Sequence, residues 1–548
     1  MKRNFLFFSF LFLLTFVFNI STLEAKGGQG ISYYDAGFPQ VAKPLLIEEI
    51  AVDSATRAEC CFYLGNIYFG ENKSDSAAFY FNKGLVANPL YPLNTIGLAM
   101  LKIKSSPAEA ELTIVNTLKE KANKKNVDLF IAAANAYLVN GLIDKASFYQ
   151  DKAKGIKPKY AKVSVLLGDI ELAKGNTGTA CGNYELAILF DESCKEAYIK
   201  YARAYKNVNT PLAIEKLGVL KQKEPTFLLV DRELADIYYA TNDFKTAAQL
   251  YENYLQSGNS NAQDLTKYAM TLFLNNDFAK SLEVATLGLQ KTPRSPAFNR
   301  LAMWNNVDLK KYDDAIKSAD LFFNKSDKPD LTYLDYRYYG QALRETKQYD
   351  LAIPQYEKAL KMDSTKIDLW KDMSDMYNEK GDVVNSISTY NTYLGLLGED
   401  KRTADVMMPL GKLYYGLGNN AATDPIVKKD ALIKADTIFA QVATLEPTGY
   451  RGNFWRARTN FALDPETTQG LAKPFYEQTV SLVESKVDAA RYNSVIMECS
   501  RFLGYYYFLQ KDYTMSNTYW NKILTIEPTN EMAKNAIAGI DKALKGKK

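Results

Sequence analysis

The side chains that most enzymes use for acid–base and nucleophilic chemistry are sparse in this chain. It has no histidine among its 548 residues, which excludes histidine general bases, Ser-His-Asp triads, Cys-His pairs and His-Glu-x-x-His metal sites. The carboxylate pairs Glu48-Glu49 and Asp313-Asp314 are adjacent in sequence, so they diverge on a helix. We interpret them as solvated helix faces, and no catalytic residue is predicted.

Two short glycine-containing segments resemble nucleotide-binding motifs in sequence, but they lack the structural context that those motifs need. Residues 416–421 read GLGNNA, whereas a dinucleotide fingerprint needs a strand before the first glycine. Here a helical pattern precedes it, which indicates a turn between helices. The LGKL at 410–413 lacks the glycine spacing and the hydroxyl of a phosphate loop. No cofactor is predicted.

The five cysteines do not form a metal site or a disulfide framework. Cys60 and Cys61 are adjacent, and Cys181 and Cys194 belong at the two ends of one helix, about 18–20 Å apart at 1.5 Å per residue. That distance is too long for a disulfide. Zinc spacing is absent as well. We expect small, buried thiols and no metal.

The first 25 residues have the pattern of a signal peptide. Lys2-Arg3 precedes a Phe/Leu-rich run, and Ala25 is a plausible cleavage point. An uncleaved anchor helix is the alternative, although a membrane span needs about 20 apolar residues and this run is shorter. We therefore expect an exported protein without a transmembrane segment after signal removal. The periplasm is the favoured location, with an outer-membrane-associated or secreted protein as alternatives. A near-balanced charge of +4 and export argue against a nucleic-acid partner.

One spacing recurs along the rest of the chain. Leu-Gly is followed by an aromatic residue three positions after the glycine, a second aromatic thirteen positions later and a proline after eight more. The first and last clear copies carry this spacing at Gly65, Tyr68, Phe81 and Pro89, and at Gly504, Tyr507, Trp520 and Pro528. Small residues let two helices approach, aromatics fill the space between them, and proline ends the second helix. Ala146 and Ala352 occupy small-residue positions and should be buried.

This pattern resembles the tetratricopeptide repeat, a 34-residue helix-turn-helix unit. The resemblance, to exported bacterial members with a signal peptide, implies an all-α, right-handed superhelical solenoid. The expected segments are a signal peptide (1–25), a truncated first repeat (26–57), a repeat array (58–400, degenerate at 90–126), an irregular array (404–530, with an inter-helix insert near 419–430), and a capping helix with a basic tail (531–548).

In this family the first helices line a concave groove that binds peptides or partner helices. Transferred through the repeat register, the groove positions form an apolar, amide-bearing N-terminal part and a cationic middle. The residues predicted to contact a partner are Asn66, Asn135, Arg203, Lys206, Arg232, Tyr239, Arg337, Gln341, Arg344, Lys371 and Asn378.

The family's carboxylate clamp is not reproduced here. Asn66 and Asn135 match its asparagine site, but Phe62 and Ile131 stand where it has lysine. Arg337, Arg344 and Lys371, which we call the cationic strip, are spaced to share one face across two repeats. The strip is predicted to receive an acidic segment or a chain terminus, and an ordinary solvated groove face is the alternative.

The function that these patterns favour is a noncatalytic protein–protein interaction scaffold of the bacterial cell envelope. Its partner would be a protein or peptide held in the groove, and the oligomeric state is open. A polysaccharide-binding solenoid is the second hypothesis, because tyrosine and tryptophan faces can stack on sugars. Excess aromatics such as Tyr505 and Phe508 should lie on an open groove if that hypothesis holds. An enzyme with groove carboxylates is the third.

Overall fold

The structure of the protein is a computed structural model that describes residues 28–258, 260–486 and 488–545. The predicted signal peptide and the end of the basic tail lie outside these residues. The described chain is helical and forms two compact units, which meet at Thr292 and Pro293 in the sequence. No described helix is both long and apolar enough to cross a bilayer.

The N-terminal unit consists of helices that alternate as the first and second members of antiparallel pairs. They are α1 (Gln29–Asp35), α2 (Pro39–Val52), α3 (Arg57–Gly70), α4 (Ser74–Ala87), α5 (Leu93–Lys102), α6 (Pro107–Lys119), α7 (Val127–Val139), α8 (Ile143–Ile156), α9 (Ala161–Ala173), α10 (Thr177–Phe190), α11 (Lys195–Tyr205), α12 (Thr210–Lys223), α13 (Leu229–Ala240), α14 (Phe244–Leu255), α15 (Ala262–Leu274) and α16 (Phe278–Lys291).

The C-terminal unit continues with the same construction. Its α-helices are α17 (Pro296–Asp308), α18 (Tyr312–Asp320), α19 (Tyr333–Glu345), α20 (Tyr349–Met362), α21 (Asp368–Glu379), α22 (Val383–Leu396), α23 (Ala404–Asn419), α24 (Pro425–Leu445), α25 (Arg451–Leu463), α26 (Lys473–Glu484), α27 (Asn493–Leu509), α28 (Tyr513–Ile526) and α29 (Glu531–Lys545). A π-helical turn covers Leu321–Lys325, and short 3₁₀ turns cover Glu399–Lys401 and Ala489–Tyr492.

The glycine–aromatic pairs of the sequence pattern are the points of closest approach between paired helices. A Cβ added to Gly65, Gly168 or Gly504 would lie less than 3.0 Å from the ring of Phe81, Tyr184 or Trp520, respectively. Ala146 and Ala352 are fully buried, as predicted. The helix register that the sequence predicts is therefore confirmed at these positions.

The turn between the two helices of a pair has a fixed backbone conformation. Its left-handed position is a glycine at Gly141 and Gly175, with φ of 80° and 84°, and a lysine at Lys511, with φ of 62°. In the last of these turns, the Asp512 side chain then accepts a hydrogen bond from the Met515 N–H at 3.0 Å. Such a cap satisfies an otherwise unpaired helix N–H group.

The predicted irregular segments are also helical. The 90–126 region forms α5 and α6, and the KEKANKKN stretch is the end of α6 and the turn that follows it. The insert near 419–430 separates Gly411 from its facing ring, Phe439, but it is not a free loop. The added residues lengthen α23 and α24, and only 420–424 connect them. Helix α29 buries Ala533 and Ile540 against Trp520.

Candidate functional site

The candidate site is a cleft within the N-terminal unit, with a cavity volume of about 880 Å³. Its lining comes from the first helices of successive pairs, α1, α3, α5, α7, α9 and α11, and from the start of α2. Since each first helix adds one strip of side chains, the cleft is a direct product of the stacked repeat. We call it the N-terminal cleft.

The floor of the N-terminal cleft is apolar and aromatic. Phe62 is 8% exposed, and its ring lies 5.5 Å from that of Tyr63, which in turn lies 4.9 Å from Tyr34. The predicted groove residues Asn66 and Asn135 both line the cleft. Their positions agree with the sequence interpretation, and their role in binding stays a prediction.

The first helix pair closes one side of this unit with Phe38. That ring is 2% exposed and lies 5.0 Å from the Arg203 guanidinium and 5.9 Å from that of Arg232. Arg203 also donates hydrogen bonds to the Gly37 carbonyl at 3.0 Å and to Glu233 at 2.7 Å. The guanidinium of Arg203 therefore holds the α1–α2 turn against α11 and α13.

Arg232 has a buried partner as well. Its Nε donates to Asp264 Oδ1 at 2.7 Å, and Asp264 is fully buried. The Tyr254 hydroxyl donates to the second oxygen of the same carboxylate at 2.9 Å. Arg203 and Arg232 were predicted as partner-binding cations, but their charges are matched by carboxylates of the following pair. They act first in holding the array together.

The cationic strip is also matched by carboxylates, so its predicted surplus of positive charge is wrong. Arg344 donates to Glu379 at 2.6 Å. Asp372 directly follows Lys371 on α21; burial raises its pKa, and Arg344 and Arg337 oppose that rise. Asp375 has a raised pKa for the same reason, opposed by Arg344 and Lys371.

The remaining predicted residues of the groove have ordinary surroundings. Tyr239 packs edge-on against Phe244 with ring centroids 5.7 Å apart, and Lys206 is the exposed C-cap of α11. Gln341 is half-buried, and Asn378 is exposed near the end of α21. None of these four residues lines the N-terminal cleft.

Sequence reasoning missed a repeated ion-pair unit on the first helices. An aspartate accepts a hydrogen bond from a tyrosine 15 residues later and pairs with a lysine 31 residues later. The two copies are Asp169, Tyr184 and Lys200, and Asp236, Tyr251 and Lys267. The signal was available, because both copies have identical spacing. In each copy the aspartate and the tyrosine belong to one helix pair and the lysine to the next, so the ion pair joins two neighbouring helix pairs.

Charge in the N-terminal cleft is mainly negative. Six carboxylates line it, Asp35, Glu59, Glu71, Asp128, Asp169 and Glu196, against three lysines, Lys104, Lys162 and Lys200. Burial raises the pKa of Tyr34 to about 12, with Glu196 and Asp35 adding to the rise. The prediction of an apolar, amide-bearing N-terminal groove is therefore confirmed for the floor of the cleft. It is wrong for the charge, because it did not include the carboxylates.

No group of three or more His, Cys, Asp or Glu side chains in the described ranges is arranged to hold a metal ion. The five cysteines are free thiols. Burial raises the pKa of Cys60 to about 12 and that of Cys181 to about 11. Such thiols are poor nucleophiles at neutral pH.

Residues 339–366 match the family model described as a tetratricopeptide repeat. The matched segment contains Gly340, where an added Cβ would clash with the Tyr356 ring as in the other pairs. The chain carries tetratricopeptide repeats. The same close approach recurs outside the matched segment in both units, so the repeat extends along the array beyond the residues that match the family model.

Solved structures with similar chains include the C-terminal part of a TPR repeat-containing protein from Cytophaga hutchinsonii. It is 30% identical over 50% of this chain and 99% of that one, with a TM-score of 0.41. The APC/C hetero-tetramer Cut9–Hcn1 is 15% identical over 89% and 90% of the two chains, with a TM-score of 0.28. Naa15/Naa10 bound to HypK is 14% identical over 94% and 90%, with a TM-score of 0.25. No curated protein matches.

Proposed function

We propose that the protein is a noncatalytic scaffold of the bacterial cell envelope that binds a segment of a partner protein in the N-terminal cleft. The observation that carries the proposal is the cleft itself, with its volume of about 880 Å³. The tetratricopeptide fold suggests a protein partner.

The walls of the cleft are suited to a preformed binding surface. Lys162 Nζ and Asp35 Oδ2, on α9 and α1, lie 2.8 Å apart. Leu166 of α9 is buried in the same core as Ile131 of α7. Since these contacts exist before any partner arrives, little ordering of the scaffold is needed on binding. Export, suggested by the first 25 residues, would place this surface in the envelope.

The packing of the tryptophans favours a protein partner over a polysaccharide. Trp304 and Trp520 are 7% and 5% exposed, and Trp370 packs in the core of the C-terminal unit. The Trp455 ring is stacked on Phe439, which covers one of its two faces.

The tyrosine and phenylalanine named as a test of the polysaccharide hypothesis give a divided answer. Phe508 packs against Tyr513 at 5.7 Å and belongs to the core beneath α29. Tyr505 is 52% exposed, so this residue does not contradict the polysaccharide hypothesis.

Site-specific photo-crosslinking in cells that express the protein tests the proposal. A photoreactive residue replaces exposed Asn135 in the cleft, and in a matched control it replaces Phe148, which is 53% exposed on α8. We expect one protein adduct from position 135 and none from position 148. Adducts of equal yield at both positions, or none at position 135, would contradict the proposal.

A further inference from the structure

Two of the three lysines that line the N-terminal cleft, Lys162 and Lys200, are already neutralised, whereas Lys104 is exposed and forms no ion pair within the described residues. Lys162 pairs with Asp35 at 2.8 Å, and Lys200 pairs with both Asp169 and Glu196, the latter at 2.8 Å. Burial lowers the pKa of Lys200, but the adjacent carboxylates outweigh this and raise it. Both ammonium groups therefore stay charged and committed to the protein's own carboxylates.

Two carboxylates of the same cleft have no such partner. Glu59 on α3 and Asp128 on α7 form no ion pair with any lysine or arginine of the described chain. The Asp128 carboxylate accepts a hydrogen bond from the Tyr160 hydroxyl at 3.2 Å. Burial raises the pKa of Glu59, and the charges of Asp35 and Asp128 add to the rise against an opposing effect of Lys162.

The placement of these two carboxylates follows the repeat. Glu59 lies seven residues before Asn66, and Asp128 lies seven residues before Asn135, so each shares a helix face with a cleft asparagine. Both occupy the first turn of their helix, where the helix dipole stabilises negative charge. The fold therefore tolerates them without a cation of its own.

Aromatic rings line the cleft together with both carboxylates. Burial raises the pKa of Tyr91, and the charges of Glu59 and Asp128 add to that rise. Tyr91 and Tyr63 both line the cleft. A carboxylate pair with aromatic walls suits a lysine or arginine side chain, which combines ion pairing with contact to ring faces.

We propose that the N-terminal cleft binds a lysine- or arginine-bearing segment of its partner, with one cationic group held between Glu59 and Asp128. This proposal rests on the proposed function and names the chemistry of the partner. It reverses the charge expected from the sequence, where a cationic strip was to receive an acidic segment. An acidic segment would meet the unpaired carboxylates of Glu59 and Asp128 here and be repelled.

Selection from a random peptide library displayed on phage, against the full mature chain, tests this directly. We expect the selected peptides to share a lysine or arginine at one position. A fluorescent copy of one selected peptide then reports affinity by anisotropy. Glu59→Gln and Asp128→Asn should each weaken binding roughly tenfold, as expected for a lost charge-assisted contact. Added salt should weaken the wild-type complex.

Controls separate the two proposals. Glu192→Gln removes an exposed carboxylate on another surface and should leave affinity unchanged, and replacing the peptide's cation with glutamine should mimic the cleft variants. Asn135→Trp should block the cleft. If Asn135→Trp blocks the selected peptides, but these peptides lack a cation or bind Glu59→Gln and Asp128→Asn with normal affinity, only the basic-segment proposal is overturned. If no selected peptide is blocked by Asn135→Trp, both proposals fail.

Discussion

Adding a single methyl group at Gly168 should destabilise the N-terminal unit, although alanine normally favours a helix. The added Cβ would lie less than 3.0 Å from three carbons of the Tyr184 ring. That ring is fully buried, and its hydroxyl donates to Asp169 at 2.9 Å. Because the ring is fixed at both ends, the helices themselves must move apart to admit the methyl group.

The magnitude follows from two opposing terms. Overpacking costs about 1–3 kcal/mol, and a fixed ring places this site toward the upper end. Alanine gains about 1 kcal/mol over glycine inside a helix. We therefore expect Gly168→Ala to lower the free energy of unfolding by about 1–2 kcal/mol, or several degrees in Tm at about 2–4 °C per kcal/mol.

Gly182→Ala is the matched control in the same helix pair. Gly182 is exposed within α10, and an added Cβ would have nothing within 4 Å. This variant should be more stable than wild type by about 0.5–1 kcal/mol. Denaturant unfolding followed by circular dichroism measures both, and hydrogen exchange in α9 and α10 localises the effect. Equal shifts of one sign in the two variants would refute the register of the α9–α10 contact.

Three further changes test other parts of the structure by denaturant unfolding. Asp264→Ala should cost about 3–5 kcal/mol because it removes the fully buried carboxylate to which Arg232 and Tyr254 donate, whereas Glu192→Ala at an exposed ion pair should cost less than about 1 kcal/mol. A small loss of stability in Asp264→Ala would contradict the structural role of this buried carboxylate. Lys511→Gly should stabilise by about 0.5–1 kcal/mol, since a left-handed φ strains lysine and not glycine; a loss of stability would show that this turn is not left-handed. Alanine at all three positions of the cationic strip should destabilise at neutral pH, because it removes the cations that oppose the raised pKa of Asp372 and of Asp375. A carboxyl with a raised folded-state pKa binds more protons when folded, so this loss should shrink as pH falls through that pKa; a loss that is independent of pH would contradict this reasoning.

The helix pairs were predictable because their packing depends on residue size at fixed spacing. Gly65 and Phe81 are sixteen residues apart, as are Gly504 and Trp520, and in both pairs the ring covers the glycine. The same spacing, lengthened by the insert near 419–430, predicts that Gly411 faces Phe439, as the structure shows. The insert looked like a loop because residues 419–424 are turn-forming, yet most of its length extends two helices.

The charges of the groove were not predictable from one repeat at a time. Arg203 has its partner on the next first helix, 30 residues later, and Arg344 has its partner 35 residues later. Groove positions assigned within a single repeat leave out the carboxylates of the next repeat, so these ion pairs were not expected. Glu59 and Asp128 lie two helical turns before Asn66 and Asn135 on the same helix faces, at positions for which the family resemblance carries no expectation.

Amide hydrogen exchange of the whole chain, with and without the peptide selected on it, tests the central claim most directly. The peptide should slow exchange in α3 and α7, which carry Glu59 and Asp128, and leave α19 and α21 unchanged. Protection confined to α19 and α21, where the cationic strip lies, would contradict the claim that the N-terminal cleft is the binding site.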